Sequence, residues 1–218
     1  DELIDNCDAA GTALRIIDVA PELHGAVDLI AHAVSRGVVV SLAHTDATYE
    51  QAIAGIDAGA TLATHLFNAM RPVHHREPGV VTAALTDDRV TCELILDGHH
   101  VHPAVVSMAH RCAGAPRNAA ISDASPVAGL GDGVHTWGGM TVNSHNGELT
   151  DNAGRLAGAG CLLDTAAATL YRAGASVTAT LLALSVTPLR VLDPSRSSGL
   201  QVGDQIWCPG TCVTLPAG

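Results

Sequence analysis

The chain has no lysine, only five aromatic residues, no Cys-x-x-Cys pair, and no apolar run as long as a membrane span. Each shortage excludes something. Positive charge comes from 11 arginines alone, against 22 acidic residues and a net charge of −11. A broad grip on a phosphate backbone is therefore not expected, and no nucleic-acid partner is assigned. A membrane helix needs about 18 or more uncharged apolar residues, so no membrane partner is expected either. The start, Asp1-Glu2-Leu3-Ile4-Asp5, has neither an initiator Met nor the basic n-region of a signal peptide. Cys7, Cys92, Cys112, Cys161, Cys208 and Cys212 are scattered. The chain is too long for a disulfide-dense miniprotein, so they read as mostly buried free thiols of a reducing cytoplasm. With Tyr49, Phe67, Trp137, Tyr171 and Trp207 the only aromatics, the core has to be built from Ala, Val, Leu and Ile.

What is present is ample apolar residue, 47%, with 15% charged, which excludes a disordered chain. A length of 218 residues suits one large domain or two small ones. Apolar runs recur at 14–20, 38–43, 60–64, 90–96 and 118–122. Runs of this length suit strands buried on both faces, as in a parallel sheet. Helical patterns lie between them. One covers 23–35 and stops before Gly37; one covers 46–58 with Asp46 as candidate N-cap. Those at 78–87 and 103–113 each carry Pro in the first turn. Strand alternating with helix predicts an α/β fold. Beyond residue 123 the Gly-rich segment 125–139 reads as a mobile loop and 140–150 as a hairpin around Asn146-Gly147. Segments 161–173 and 176–184 read as helices, Thr187-Pro188 starts a further short turn, and short β segments follow from 199.

The run ends carry the chemistry. They reach Glu22, His44, His65, His100 and Asp123, separated by 22, 21, 35 and 23 residues, each fitting one βα unit. A ligand-type residue at five successive strand ends favours a (β/α)₈ barrel, whose catalytic face collects them, over a doubly wound sheet, which focuses function at one crevice. His44 and His65 on adjacent strands suit one metal ion, and spacing alone offers Glu22 as the third ligand. Asp123 is placed to take a proton from an activated water. His102 precedes Pro103 and begins a helix, which leaves His100 facing the mouth. Arg71, His74, His75 and Arg76 form a positive island in an acidic chain, as an anionic substrate would need.

The motifs occur in a fixed order. They are Val19-Ala20-Pro21-Glu22, Ala43-His44-Thr45-Asp46-Ala47-Thr48, Thr64-His65-Leu66-Phe67-Asn68-Ala69-Met70, Arg76-Glu77-Pro78-Gly79, Asp97-Gly98-His99-His100-Val101 and Ser122-Asp123-Ala124, followed by Arg155-Leu156-Ala157-Gly158. Together, from about residue 14 to about residue 204, the chain resembles the N-acetylglucosamine-6-phosphate deacetylases of the amidohydrolase superfamily.

The resemblance implies hydrolysis of the N-acetyl group of a phosphorylated amino sugar. It implies a divalent metal, zinc first, held by His44 and His65, with Asp123 as catalytic acid and base. Asn68 and Ala69 would contact substrate, Arg76 its phosphate across a homodimer interface, and His100 the sugar. Leu156, Ala157 and Gly158 would form the far wall, although Ala157 and Ala159 replace the usual serines. The family's carboxylate ligand lies in a Leu-Glu-Gly-Pro type segment that is absent here, which demotes Glu22 to a cap or supporting group. The strand-one His-x-His is absent as well, and residues 203–208 depart from the family's tail. The chain thus reads as a partial TIM-type barrel, strands four to eight, over 1–198, with a short C-terminal β-rich tail over 199–218 as a remnant of an accessory domain. Two ligands instead of three imply weak metal binding and little turnover. A cyclic amidase of the dihydroorotase type and a non-catalytic truncated fragment are the competing readings.

Overall fold

The structure, a computed structural model, describes residues 2–193, 205–208 and 211–214. Five short strands make its centre: β1 (Ile16–Val19), β2 (Val39–Leu42), β3 (Leu62–Ala63), β4 (Thr91–Ile95) and β5 (Asn118–Ile121). All pair in parallel, and their order in the sheet is their order in the chain. An order that never reverses fits a partial barrel wall and not the doubly wound alternative. Val40, Leu42, Leu62, Leu94 and Ile95 are fully buried, as expected for strands covered on both faces.

The covering helices are α2 (Ala26–Ser35), α3 (Tyr49–Asp57), α4 (Gly79–Thr86) and α5 (Pro103–Ala113). α4 buries Val80, Val81, Ala83, Ala84 and Leu85, nearly its whole surface. Small side chains allow this close approach and compensate for the lack of aromatics. α3 starts later than its pattern suggests. Its N-cap is Thr48, not Asp46: Gln51 N donates to Thr48 Oγ1 and Thr48 N donates to Gln51 Oε1. Asp46 is committed elsewhere, as described below. His102 caps α5, its Nδ1 accepting the Ala104 N–H, in line with its expected place at a helix start. A helix not anticipated from sequence, α1 (Glu2–Ala10), precedes β1 and is tied to α2 through Asp8, which pairs with His32 and Arg36.

The segment expected to be a mobile loop is in part a strand. β6 (Gly133–Trp137), β7 (Met140–His145) and β8 (Glu148–Thr150) form a three-stranded antiparallel sheet. Gly138 and Gly139, at φ +56° and +80°, make the two-residue turn between β6 and β7, and the anticipated Asn146-Gly147 turn joins β7 to β8. The strand was hidden because its hydrogen bonds come from β7, while its own side chains are mostly exposed. α6 (Leu163–Arg172), α7 (Val177–Leu181), a π-helical segment at Leu182–Val186 and α8 (Thr187–Leu192) close the described body. Farther on, β9 (Gln205–Cys208) and β10 (Thr211–Thr214) pair with each other in antiparallel fashion. The proposed boundary at 198/199 and the rest of the tail lie outside the described residues. Cys7 and Cys92 are buried, but Cys112 is exposed and Cys161 half-buried, so burial holds only for part of the set. No helix among the described residues is long and apolar enough to cross a membrane.

Candidate functional site

β2 and β3 each hand over to a histidine in the left-handed backbone region, His44 at φ +45° and His65 at φ +34°. Asp123, after β5, is at φ +48°. Such conformations cost non-glycine residues about 1–3 kcal/mol each and persist where surrounding contacts over-determine them, most often at functional sites. Here they turn the chain off the ends of β2, β3 and β5.

The turn brings the imidazoles together. His44 Nε2 and His65 Nε2 lie 3.0 Å apart, with the rings edge to face. His65 is buried, and its Nδ1 has no hydrogen-bond partner. Two neutral imidazoles meeting Nε2 to Nε2 can share only one proton between them. The separation also matches two adjacent ligands of one ion: with Zn–N bonds of about 2.0–2.1 Å, 3.0 Å subtends about 90–100°. The pair therefore fits two positions of a metal centre. Among the described residues no group of three or more His, Cys, Asp or Glu side chains is gathered to complete one.

Glu22 is not the third ligand that spacing offered. One carboxylate oxygen accepts the Thr45 hydroxyl and the other accepts the Asp46 N–H, at 2.8 Å. The positive island also divides. Arg71 grips Asp46, with Nη2 donating to Oδ2 at 2.9 Å and Nε to the backbone oxygen at 2.8 Å, so its charge is already matched. Arg76 is exposed; its guanidinium donates to the neighbouring His75 Nε2 at 2.7 Å and its backbone N–H to His74 Nδ1 at 3.3 Å. It borders a cleft of about 280 Å³ with Thr48, Tyr49, Arg71 and Glu77. A cleft of about 540 Å³ runs beside β1, lined by Ile17, Asp18, Val19 and Ala20, away from His44 and His65.

The remaining expected residues fall into separate groups. Asn68 spends its side-chain amide on its own turn, donating to the His65 carbonyl at 3.1 Å, and the Ala69 carbonyl accepts the Thr45 N–H. His100 is locked to Asp97, with Nδ1 and Oδ2 2.6 Å apart and both side chains buried. Burial pushes the Asp97 carboxyl up, but His100 and the backbone N–H groups of His100 and His99 outweigh it and hold the pKa at about 2. Gly158 lies against the Asp123 loop: Ala159 N donates to the Asp123 carbonyl, and Ser125 N donates to the Ala159 carbonyl. A Cβ on Gly158, at φ +86°, would sit 3.1 Å from the Ser125 Cβ, so glycine is required there by both space and backbone. Leu156 is exposed, while Ala157 packs on the small cluster of Val127, Val142 and Leu149.

One acidic group beside the histidines was not anticipated. Glu93, on β4, sits by Asp18 and Thr64, and its carboxyl is pushed up to about 7 by burial first and by the Asp18 charge second. Hydrogen bonds from Thr64 and from the His65 N–H pull the other way, while the charge of Asp123 adds to the rise. Thr64 Oγ1 donates to Asp18 at 2.8 Å and lies 2.7 Å from Ser41 Oγ. The sequence signal was an acid inside an otherwise apolar strand run, a pattern that burial makes meaningful.

Known proteins can be set beside this geometry. No protein-family model matches the chain. The N-acetylgalactosamine-6-phosphate deacetylase of Escherichia coli O157:H7 is 41% identical over 219 residues, 93% of this chain and 58% of that protein. The N-acetylglucosamine-6-phosphate deacetylase of Vibrio furnissii is 42% identical over 158 residues, 72% of this chain and 39% of that protein. Among solved structures, a mutant N-acetyl-D-glucosamine-6-phosphate deacetylase from Mycobacterium smegmatis, in complex with N-acetyl-D-glucosamine-6-phosphate, superposes with a TM-score of 0.80 at 37% identity. That match covers 85% of this chain and 50% of the other. The chain thus spans between 39% and 58% of the curated relatives named here.

Proposed function

The chain is homologous to part of the N-acetylglucosamine-6-phosphate deacetylases, and from that kinship we propose that it is strands four to eight of a metal-dependent deacetylase barrel. The reaction is hydrolysis of the acetamide of N-acetylglucosamine 6-phosphate to glucosamine 6-phosphate and acetate. The observation that carries this reading is the convergence of His44 Nε2 and His65 Nε2 at 3.0 Å on strained turns at adjacent strand ends.

His44 and His65 would hold a divalent ion, zinc first. Such an ion supplies Lewis acidity toward the acetamide carbonyl and the attacking water. Asp123 takes a proton from that water and returns it to the departing amine. Arg76, exposed on its loop, pairs with the phosphate, which carries about −1.5 to −2 charges. In a homodimer that phosphate would belong to the partner subunit's substrate. His100, held by Asp97, lines the sugar, with Asn68 and Ala69 on one side and Leu156, Ala157 and Gly158 on the other. Among the described residues Cys7, Cys92, Cys112 and Cys161 stand as free thiols, the state a reducing cytoplasm maintains.

One observation favours a second sugar: the relative matched over 93% of the chain is named for N-acetylgalactosamine 6-phosphate. Calorimetric titration of the zinc-loaded chain with both phosphosugars and with dihydroorotate, alongside an assay of acetate release, separates the readings. Binding of a phosphosugar, weakened in Arg76→Ala, is expected, with little acetate released. Binding of dihydroorotate alone would establish the cyclic-amidase reading. Binding of none of the three would leave the non-catalytic fragment.

A further inference from the structure

We propose that Glu22 is a positioning residue for His44. Through the Thr45 hydroxyl and the Asp46 N–H, it holds the turn that aims His44 at His65. The inference rests on the proposed metal pair and adds to it the group that holds that pair in place.

Every polar group of the two residues after His44 is engaged. Thr45 N donates to the Ala69 carbonyl, and the Thr45 carbonyl accepts the Arg71 N–H, both at 3.0 Å. The Thr45 hydroxyl donates to Glu22 and accepts from Ala47 N. Asp46 N donates to Glu22, while its carbonyl and carboxylate are held by Arg71. Thr45 is buried. Three loops are thereby joined: Glu22 follows β1, Thr45 and Asp46 follow β2, and Ala69 and Arg71 belong to the loop after β3 that begins at His65.

This is the over-determination that a left-handed His44 requires. Of all these groups, Glu22 alone reaches the turn from the β1 side. Without it, Thr45 Oγ1 and Asp46 N lose their common acceptor, and past the Ala43 N–H, which donates to the Val19 carbonyl, the turn rests on the β3 loop. His65 has a separate support, since Leu66 N donates to the Glu93 carbonyl and Asn68, through both its backbone N–H and its side-chain amide, donates to the His65 carbonyl. Loss of Glu22 should therefore loosen one histidine and not the other. Side chains that orient metal ligands typically change affinity by about 10–100-fold when removed.

The test is zinc titration of the full chain, labelled with ¹⁵N at histidine and followed at the imidazole nitrogens, with circular dichroism as the check on folding. In the wild type, His44 and His65 Nε2 should shift together at one zinc equivalent. In Glu22→Ala, zinc affinity should fall about tenfold or more, with His44 losing its response before His65. Glu22→Gln, which keeps an acceptor for the Asp46 N–H, should recover most of the affinity. Thr45→Val cuts the same link from the other side and should reproduce the loss if Glu22→Ala does not fold. Unchanged affinity in Glu22→Ala and Thr45→Val overturns the inference. So does an equal loss in Glu22→Gln and Glu22→Ala, which would locate the effect in charge and not in the hydrogen bonds. No zinc-linked shift at either histidine of the wild type overturns the metal pair itself, and the brace with it.

Discussion

Replacing Glu93 by Gln should make the metal-free chain more stable in alkaline solution and leave it unchanged in acid. The Glu93 carboxyl has a pKa of about 7 in the folded chain against 4.5 ordinarily, because burial and the Asp18 charge disfavour ionisation. At about 1.4 kcal/mol per pH unit, that difference corresponds to about 3 kcal/mol. Below pH 4.5 both folded and unfolded chains hold the proton, so Glu93 contributes nothing. Between pH 4.5 and 7 the unfolded chain releases its proton while the folded chain retains it, so stability falls as pH rises. Above pH 7 the full penalty is present. Gln offers the same shape, with an amide oxygen for the His65 N–H and no charge to bury. Urea unfolding of wild type and Glu93→Gln in EDTA at pH 4.5, 6 and 8 tests this, since other titrating groups cancel in the difference. The curves should coincide at pH 4.5 and separate by about 2–3 kcal/mol at pH 8 in favour of the variant. Parallel pH dependences, or a variant less stable at pH 8, would refute the reasoning.

Two further outcomes follow from the site. Asp97 has the opposite sign: its folded pKa of about 2 lies below the ordinary 3.8, so it stabilises above pH 4 and loses that contribution as pH falls from about 4 to 2. Asp97→Asn should cost about 2 kcal/mol at pH 6 and little at pH 2, measured by acid unfolding against the wild type. Gly158→Ala places a methyl 3.1 Å from the Ser125 Cβ at φ +86° and should cost about 1–3 kcal/mol. A thermal melt within error of the wild type would show that the Asp123 loop gives way freely.

Much of the architecture was legible because strands buried on both faces announce themselves as unbroken apolar runs. The runs ending at His44, His65 and Asp123 all became parallel strands in chain order. The resemblance to the deacetylases was equally legible, since ordered motifs do not depend on burial. β6 was not legible: its pairing is contributed by β7, and glycine obscured its pattern. Asp46 read as a helix cap because Asp favours that position, yet Thr48 with Gln51 caps better and Arg71 claims Asp46. Arg71 read as a free cation because its partner lies 25 residues away.

The sequence by itself determined which residues stand at the strand ends and that three of them, His44, His65 and His100, are imidazoles after successive strands. Local pattern suffices for that, because hydrophobic runs set where a strand stops. Tertiary structure alone decided what those residues do there. It brought Nε2 to Nε2, set Glu22 on the Thr45 hydroxyl and the Asp46 N–H, matched Arg71 with Asp46 and left Arg76 exposed, and raised the Glu93 pKa. Each of these depends on backbone angles and desolvation created by elements far apart in the chain, which spacing along one strand and its loop cannot express.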